Sequence, residues 1–289
     1  MQTNQLNEKL KRESRKEKRK DFILMLIALG IVVIMLFPVY WMAITSVKSD
    51  HEIFAKVLTF IPKDITFEPW LVQFRDRNFL YSLRNSIVIA FTAMTLSLSL
   101  GITAAYGLGK YKLPFHNSIL LVFLVTQMMP SSLLLTPLYL FFARTSLLNT
   151  FLAPAMAIAT NSIPFIIITL RPYFMSVPKS LDEAARIDGS SAFRSFIQIV
   201  IPAVKTGVIT VMVISFLHGW NDLVYSMTFN VEATMRPLTA NIHKFMDQYG
   251  MKWNNIMAYG MILAIPVLTS FVFLQKHIIG GVTSGAVKE

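Results

Sequence analysis

Residues 22–47, FILMLIALGIVVIMLFPVYWMAITSV, run for 26 positions without a charged side chain. A helix of about 20 apolar residues crosses the ~30 Å hydrocarbon core of a bilayer, so this stretch is long enough to span it. It also exceeds the about 7–15 apolar residues of a secretory signal, and is expected to remain in place as a first span. Directly before it, residues 9–20 (KLKRESRKEKRK) carry eight of the chain's 27 Lys and Arg. A basic cluster abutting a span sets orientation and touches anionic lipid, which accounts for much of the net charge of +11 without a nucleic-acid partner. The remainder agrees: 54% of the 289 residues are hydrophobic, 15% are charged and the mean hydropathy is +0.54. Soluble domains carry about 25% charged residues, so there is too little charge here to wet the surface of a globule. With no Cys, disulfides, thiolate metal sites and Cys nucleophiles are excluded.

Five more stretches qualify as spans, at 85–109, 117–143, 150–171, 204–227 and 255–276. The expected fold is an all-α integral membrane protein with six transmembrane helices. A basic tail (1–21) precedes a six-span domain (22–279), and a short tail (280–289) follows it. Six spans put both termini on one side. The segments on that side hold 17 Lys and Arg against ten on the other, so the positive-inside rule makes both termini cytoplasmic. Tyr40, Trp41, Trp220, Tyr225 and Trp253 then fall at the outer ends, where an aromatic belt is expected. Gly101, Ala105 and Gly109 form a small-residue face on the second span, suited to packing within one subunit or to a subunit interface. Pro130, Pro137, Pro154 and Pro164 interrupt the third and fourth spans, whose freed carbonyls need protein or a wet cavity.

Active transport needs an energy source, and no motif for one is present. The segment AAYGLGKY (104–111) lacks the first glycine and the hydroxyl residue of a phosphate loop and ends a span, not a strand. There is no HExxH, no G-x-S-x-G and no carboxylate cluster at metal-ligand spacing. The one carboxylate well inside a span is Asp222, late in the fifth, where capping, inter-helix and pathway roles are all open.

The connection 178–202, PKSLDEAARIDGSSAFRSFIQIVIP, is the most informative segment. Ser180 precedes Glu183 by three, the capping-box spacing, and predicts a helix over 181–188 about 12 Å long. Gly189 follows where a helix commonly ends in a left-handed residue. Phe193, Phe196, Ile197 and Val200 make one apolar stripe on a second short helix, which Pro202 ends. The result is a helical hairpin presenting Ala184 and Ala185, a shape suited to docking into a groove of a soluble partner rather than a plain connector.

Glu183-Ala184-Ala185, Gly189 and Ile199-Val200-Ile201-Pro202 resemble the EAA motif (EAA-x3-G-x9-I-x-L-P) of inner-membrane permease subunits of binding-protein-dependent ABC importers. Spacing is complete, and Ile201 stands where Leu is usual. Gly219-Trp220-Asn221-Asp222, Pro237-Leu238-Thr239 and Gly281 to Lys288 look like the carbohydrate-uptake branch, the MalG type. The resemblance implies that the hairpin is a coupling helix seated in a cytoplasmic ATPase. Glu183, Ala184, Ala185, Gly189, Ile199 and Pro202 would form it, and Ser284, Gly285 and Lys288 in the tail would make a second contact. It implies as partners a homologous second permease subunit, two ATPase subunits, an extracellular solute-binding protein that meets the 228–255 loop, and a sugar substrate. ATP and Mg would be used by the ATPase, with no cofactor bound by this chain.

A sugar path calls for amides, hydroxyls and aromatic faces rather than charge. Gln127, Ser131, Asn161, Ser162 and Asn221 are candidates, with Tyr139 for stacking and Asp222 beside them, although such side chains also stitch spans together. A carrier or channel working without an ATPase is the alternative class. A membrane enzyme would need a catalytic constellation that is not found.

Overall fold

Long apolar runs lacking a polar break become long helices, and prolines and short polar clusters decide where they stop. The computed structural model describes the backbone of residues 2–187, 189–247 and 250–286, with side chains described within 17–178, 180–181, 183–185, 187, 189–242 and 251–275. The helices are α1 (Gln2–Thr45), α2 (Asp50–Ile53), α3 (Glu68–Arg75), α4 (Arg77–Lys110), α5 (His116–Met128), α6 (Ser131–Arg144), α7 (Leu152–Ser176), α8 (Lys179–Ile187) and α9 (Ala192–Ser195). A π-helical turn (Phe196–Val200) joins α9 to α10 (Ile201–Ala203), followed by α11 (Lys205–Trp220), α12 (Val224–Phe229) and α13 (Trp253–Ala286). Two 3-10 segments and two strands of two residues each lie between α12 and α13.

Four helical stretches are long and apolar enough to cross a membrane: Glu17–Thr45, Arg77–Lys110, Leu152–Ser176 and Trp253–Gln275. Two further pairs reach that length only together, α5 with α6, bent by 97°, and Ala192–Ala203 with α11, bent by 87°. The described residues therefore hold four to six spans. The stretch read as one span over 117–143 breaks at Met129 and Pro130, because the pyrrolidine ring removes a donor and clashes with the preceding turn. The stretch read over 204–227 likewise breaks after Trp220, with Asp222 in the break before the separate helix α12 (Val224–Phe229). At the C-terminus the helix runs past the expected end at 276 as far as Ala286.

The chain divides into two compact units: Met1–Leu71 with Gly250–Met261, and Val72–Tyr249 with Ile262–Glu289. In the first, the loop after α1 is organised around Glu52. Its carboxylate accepts from the Thr59 hydroxyl, from the Lys63 amide at 3.1 Å and from the Asp64 amide at 3.0 Å. Those bonds, Thr59's foremost, hold the carboxyl below its ordinary range despite the opposing effect of desolvation. Lys48 lies over the Trp41 ring, 5.0 Å from its centroid, and donates to the Thr59 carbonyl.

In the second unit, α4, α7 and α11 pack closely. A Cβ on Gly101 would lie 2.8 Å from Ile166, one on Gly109 would lie 3.0 Å from Phe174, and Ala105 is fully buried. The small-residue face of α4 thus serves packing within the subunit, against α7. Gly219 brings α11 so near α4 that a Cβ there would stand 2.6 Å from the Ala90 Cα. The aromatic-belt reading fails for two residues. Trp220 is buried and donates to the Leu263 carbonyl at 3.0 Å, and Tyr225 is buried as well, since each finds a hydrogen-bond partner inside the unit. The outward surface is apolar instead: Ile34 and Met35 on α1 are both 73% exposed, as lipid contact requires.

Candidate functional site

Helix α7 runs unbroken through Pro154 and Pro164, against the expected interruption of this span, and Asn161 lies one turn before Pro164. The Asn161 amide donates to Ser131 Oγ at 3.2 Å and to the Tyr225 hydroxyl at 3.1 Å, while its carbonyl accepts from Gln127 Nε2 at 3.2 Å. The Asn161 side chain therefore ties α7 to the start of α6 and to α12, and its backbone carbonyl adds α5. On the next face of α7, Ser162 Oγ meets His218 Nδ1 at 3.0 Å, and the His218 ring lies edge-on to Phe165.

These groups surround a cavity of about 490 Å3 lined by Ser131, Asn161, His218, Asn221, Asp222 and Tyr225, with Ile158, Ile214 and Leu217 as its apolar wall. Of the residues expected along a path, Ser131, Asn161, Asn221 and Asp222 line it directly. Ser162 and Gln127 reach it through His218 and Asn161. Tyr139 is not among its lining residues. His218 and Tyr225 also line it. Neither was among the residues expected along a path, and Tyr225 was expected in a belt. The Asn161 and Ser162 positions on a proline-containing helix were the available hint, but which residues face them depends on α11 ending at Trp220 and the chain restarting as α12.

Asp222 is the one carboxylate on the wall, and its oxygens are occupied. It accepts from Ser226 N at 2.8 Å, Ser226 Oγ at 2.7 Å and Tyr225 N at 3.3 Å, which fixes the start of α12. Its backbone carbonyl accepts from Thr239 Oγ1 at 2.6 Å, and the neighbouring Leu238 amide donates to Ser86 Oγ at 2.8 Å. The Gly219–Asp222 and Pro237–Thr239 segments are thus one clamp that orients Tyr225 toward the cavity. The wall can offer amide, hydroxyl and imidazole partners to an uncharged polar ligand.

The connection 178–202 folds as a helical hairpin. Gly189 has φ +80° and the Ser190 amide donates to the Ala185 carbonyl at 2.9 Å, the six-to-one bond of a Schellman motif. Its details differ from the sequence reading in three places. Helix α8 begins at Lys179, so Ser180 lies inside its first turn and not at the cap. Ala185 is buried and only Ala184 is exposed, because successive helical positions point about 100° apart. The apolar stripe also divides: Phe196 and Val200 are buried, whereas Phe193 is 72% and Ile197 45% exposed, the π-turn having rotated them apart. Glu183 and Pro202 are exposed, Ile199 is half-buried, and Ile187 beside the turn is 87% exposed. Ser284 and Gly285 lie on the last turns of α13, and Lys288 lies outside the described residues.

Comparison with known proteins places this geometry. Residues 97–283 match the family described as binding-protein-dependent transport system inner membrane component. The chain belongs to that family of multi-pass membrane permeases, which excludes the self-sufficient carrier as its class. It is similar to the diacetylchitobiose uptake system permease protein DasC of Streptomyces coelicolor, 29% identical over 88% of this chain and 92% of that one. It is also similar to the trehalose/maltose transport system permease protein MalG of Thermococcus litoralis, 27% identical over 95% of this chain and 99% of that one. Its fold matches a chain of a bacterial ABC transporter for alginate import, with TM-score 0.77 and 23% identity over 89% of this chain and 96% of that one.

Proposed function

We propose that this chain is one of two membrane-spanning subunits of an ATP-driven importer, passing a sugar, and in particular an oligosaccharide, across the cytoplasmic membrane by alternating access. Its relatives named for diacetylchitobiose and for trehalose and maltose support the cargo class. The polar wall of the 490 Å3 cavity, rich in amides and hydroxyls and with its one carboxylate bonded to the start of α12, suits hydroxyl groups. Six spans with both termini cytoplasmic put the hairpin 178–202 on the cytoplasmic side, where two ATPase subunits would bind ATP and Mg. A homologous permease and an extracellular solute-binding protein complete the assembly.

The observation that carries this reading is the hairpin's surface. Ile187 and Phe193 flank the Gly189 turn almost fully exposed, on a segment too short and too charged to sit in lipid. Ala184 allows close approach of a partner and Glu183 is free to meet its surface, whereas Ala185 holds the hairpin itself together. ATP binding closes the motor, draws the hairpins together and flips the cavity between the two faces.

Gly189→Val tests the assignment, since a β-branched residue is disfavoured at φ +80°. In a reconstituted complex, membrane insertion should persist while ATPase co-purification and nucleotide-dependent uptake are lost. Uptake and association at wild-type levels would reject the docking role, and solute flux by the isolated chain without nucleotide would reject the importer.

A further inference from the structure

The turn between α4 and α5 lines a second cavity, of about 400 Å3, to which neither the hairpin 178–202 nor the α11–α12 break contributes a residue. Lys110, Lys112, His116 and Arg171 line it, and no carboxylate does so among the described residues. Two of the cations are tethered by backbone: Lys110 Nζ donates to the Val177 carbonyl at 2.8 Å and Arg171 Nε to the Leu108 carbonyl at 3.4 Å. These cationic side chains line one space together, where a single anion would meet several of them. His116 Nε2 is buried with no hydrogen-bond partner. His116 also opens α5, whose 13 residues start after Phe115 with no side-chain cap, adding unsatisfied amides to the same region.

The residues alternating with these cations select the kind of anion. Tyr111 is 47%, Leu113 41% and Phe115 81% exposed, and Phe115 holds a left-handed φ of 56° that a non-glycine residue rarely adopts. An exposed aromatic and aliphatic rim around a cationic cavity, at the end of a membrane-crossing helix, has the chemistry of the bilayer interface, where rings sit at headgroup level. A soluble phosphate would have no use for the apolar rim.

From the cation-lined cavity and its exposed apolar rim we infer that this turn is a binding site for the phosphate of an anionic phospholipid. Lys112, His116 and Arg171 engage the headgroup, while Tyr111, Leu113 and Phe115 enter the acyl boundary. The inference concerns residues outside the proposed cargo cavity and coupling hairpin, so its failure would leave the transport reading intact.

Native mass spectrometry of the full chain, released from micelles doped with phosphatidylglycerol or phosphatidylcholine, tests it. The wild type should retain one phosphatidylglycerol selectively. Lys112→Gln with Arg171→Gln should weaken that retention roughly thirtyfold, from the loss of two cations near an anionic surface. Lys112→Arg with Arg171→Lys keeps both charges, should keep the lipid, and serves as the folded control. Equal phosphatidylglycerol retention by the Gln variant would overturn the site. Displacement of the adduct by inorganic phosphate, with phosphatidylcholine held equally well, would overturn the lipid as its occupant.

Discussion

The cavity beside Asn161 and the hairpin around Gly189 solve opposite problems. Near Asn161, polar side chains have been turned inward and nearly all are matched: amide to hydroxyl, serine to imidazole, carboxylate to helix start. At the hairpin, Ile187 and Phe193 are turned outward with nothing over them in the subunit, although the segment is too polar for lipid. A membrane protein can keep unpaired apolar groups outside at no cost where lipid covers them, but unpaired polar groups inside cost several kcal/mol each. The cavity's polar groups are therefore largely satisfied within this chain, whereas the hairpin's exposed apolar groups are left uncovered by it, as the proposed docking role requires.

If that contrast is right, the largest effect should come from disturbing the frame that both regions share. Gly219→Val would drive a side chain into the Ala90 backbone, costing about 3 kcal/mol or more by overpacking, and should lower thermal stability in detergent along with uptake. Next come two substitutions that should separate the regions. Asn161→Leu removes two side-chain hydrogen bonds at the cavity and should cut uptake about tenfold or more while leaving ATPase co-purification unchanged. Ile187→Ser should weaken co-purification about tenfold while shifting subunit stability by less than about 0.5 kcal/mol. The contrast breaks if the two outcomes cross. Asp222→Ala should cost about 1 kcal/mol through the loss of the α12 cap, with uptake falling because Tyr225 is no longer aimed at the cavity. Asp222→Asn, keeping one acceptor, should fall between Ala and wild type.

The smallest effect belongs to the loop after α1, which takes part in neither region. The folded-state pKa of Glu52 lies below its ordinary value of 4.5. A depressed carboxylate pKa contributes stability above the unfolded value, which fades as pH falls through the folded one. Glu52→Gln should therefore be less stable than wild type above about pH 5. The gap should close on acidification, with co-purification unaffected throughout. A gap that instead widened at low pH would remove the carboxylate from its assigned role.

Much of the coupling segment was legible because its geometry is local. Gly189 in the left-handed region follows from a helix end and a residue without Cβ, and needs no distant neighbour. The inward turn of Ala185 and the division of Phe193 and Ile197 from Phe196 and Val200 were not legible, since a π-turn changes register without a sequence mark. In the cavity, the amides and hydroxyls were recognisable as residue types. Their partners lie 30 to 64 positions away in the chain, beyond the reach of periodicity.

What the sequence determined alone was the medium and the local hardware. Apolar runs of more than 20 residues commit the chain to lipid, since backbone amides there must be bonded within a helix, and the EAA spacing builds its turn from adjacent residues. The tertiary structure decided the rest. The small-residue face of α4 closes on α7, Trp220 and Tyr225 go inside, and His218 joins Asn161 and Asp222 around one space. Those outcomes depend on where broken helices bend and which neighbours the bend brings within about 3 Å, and bonding at that range is settled by packing in three dimensions.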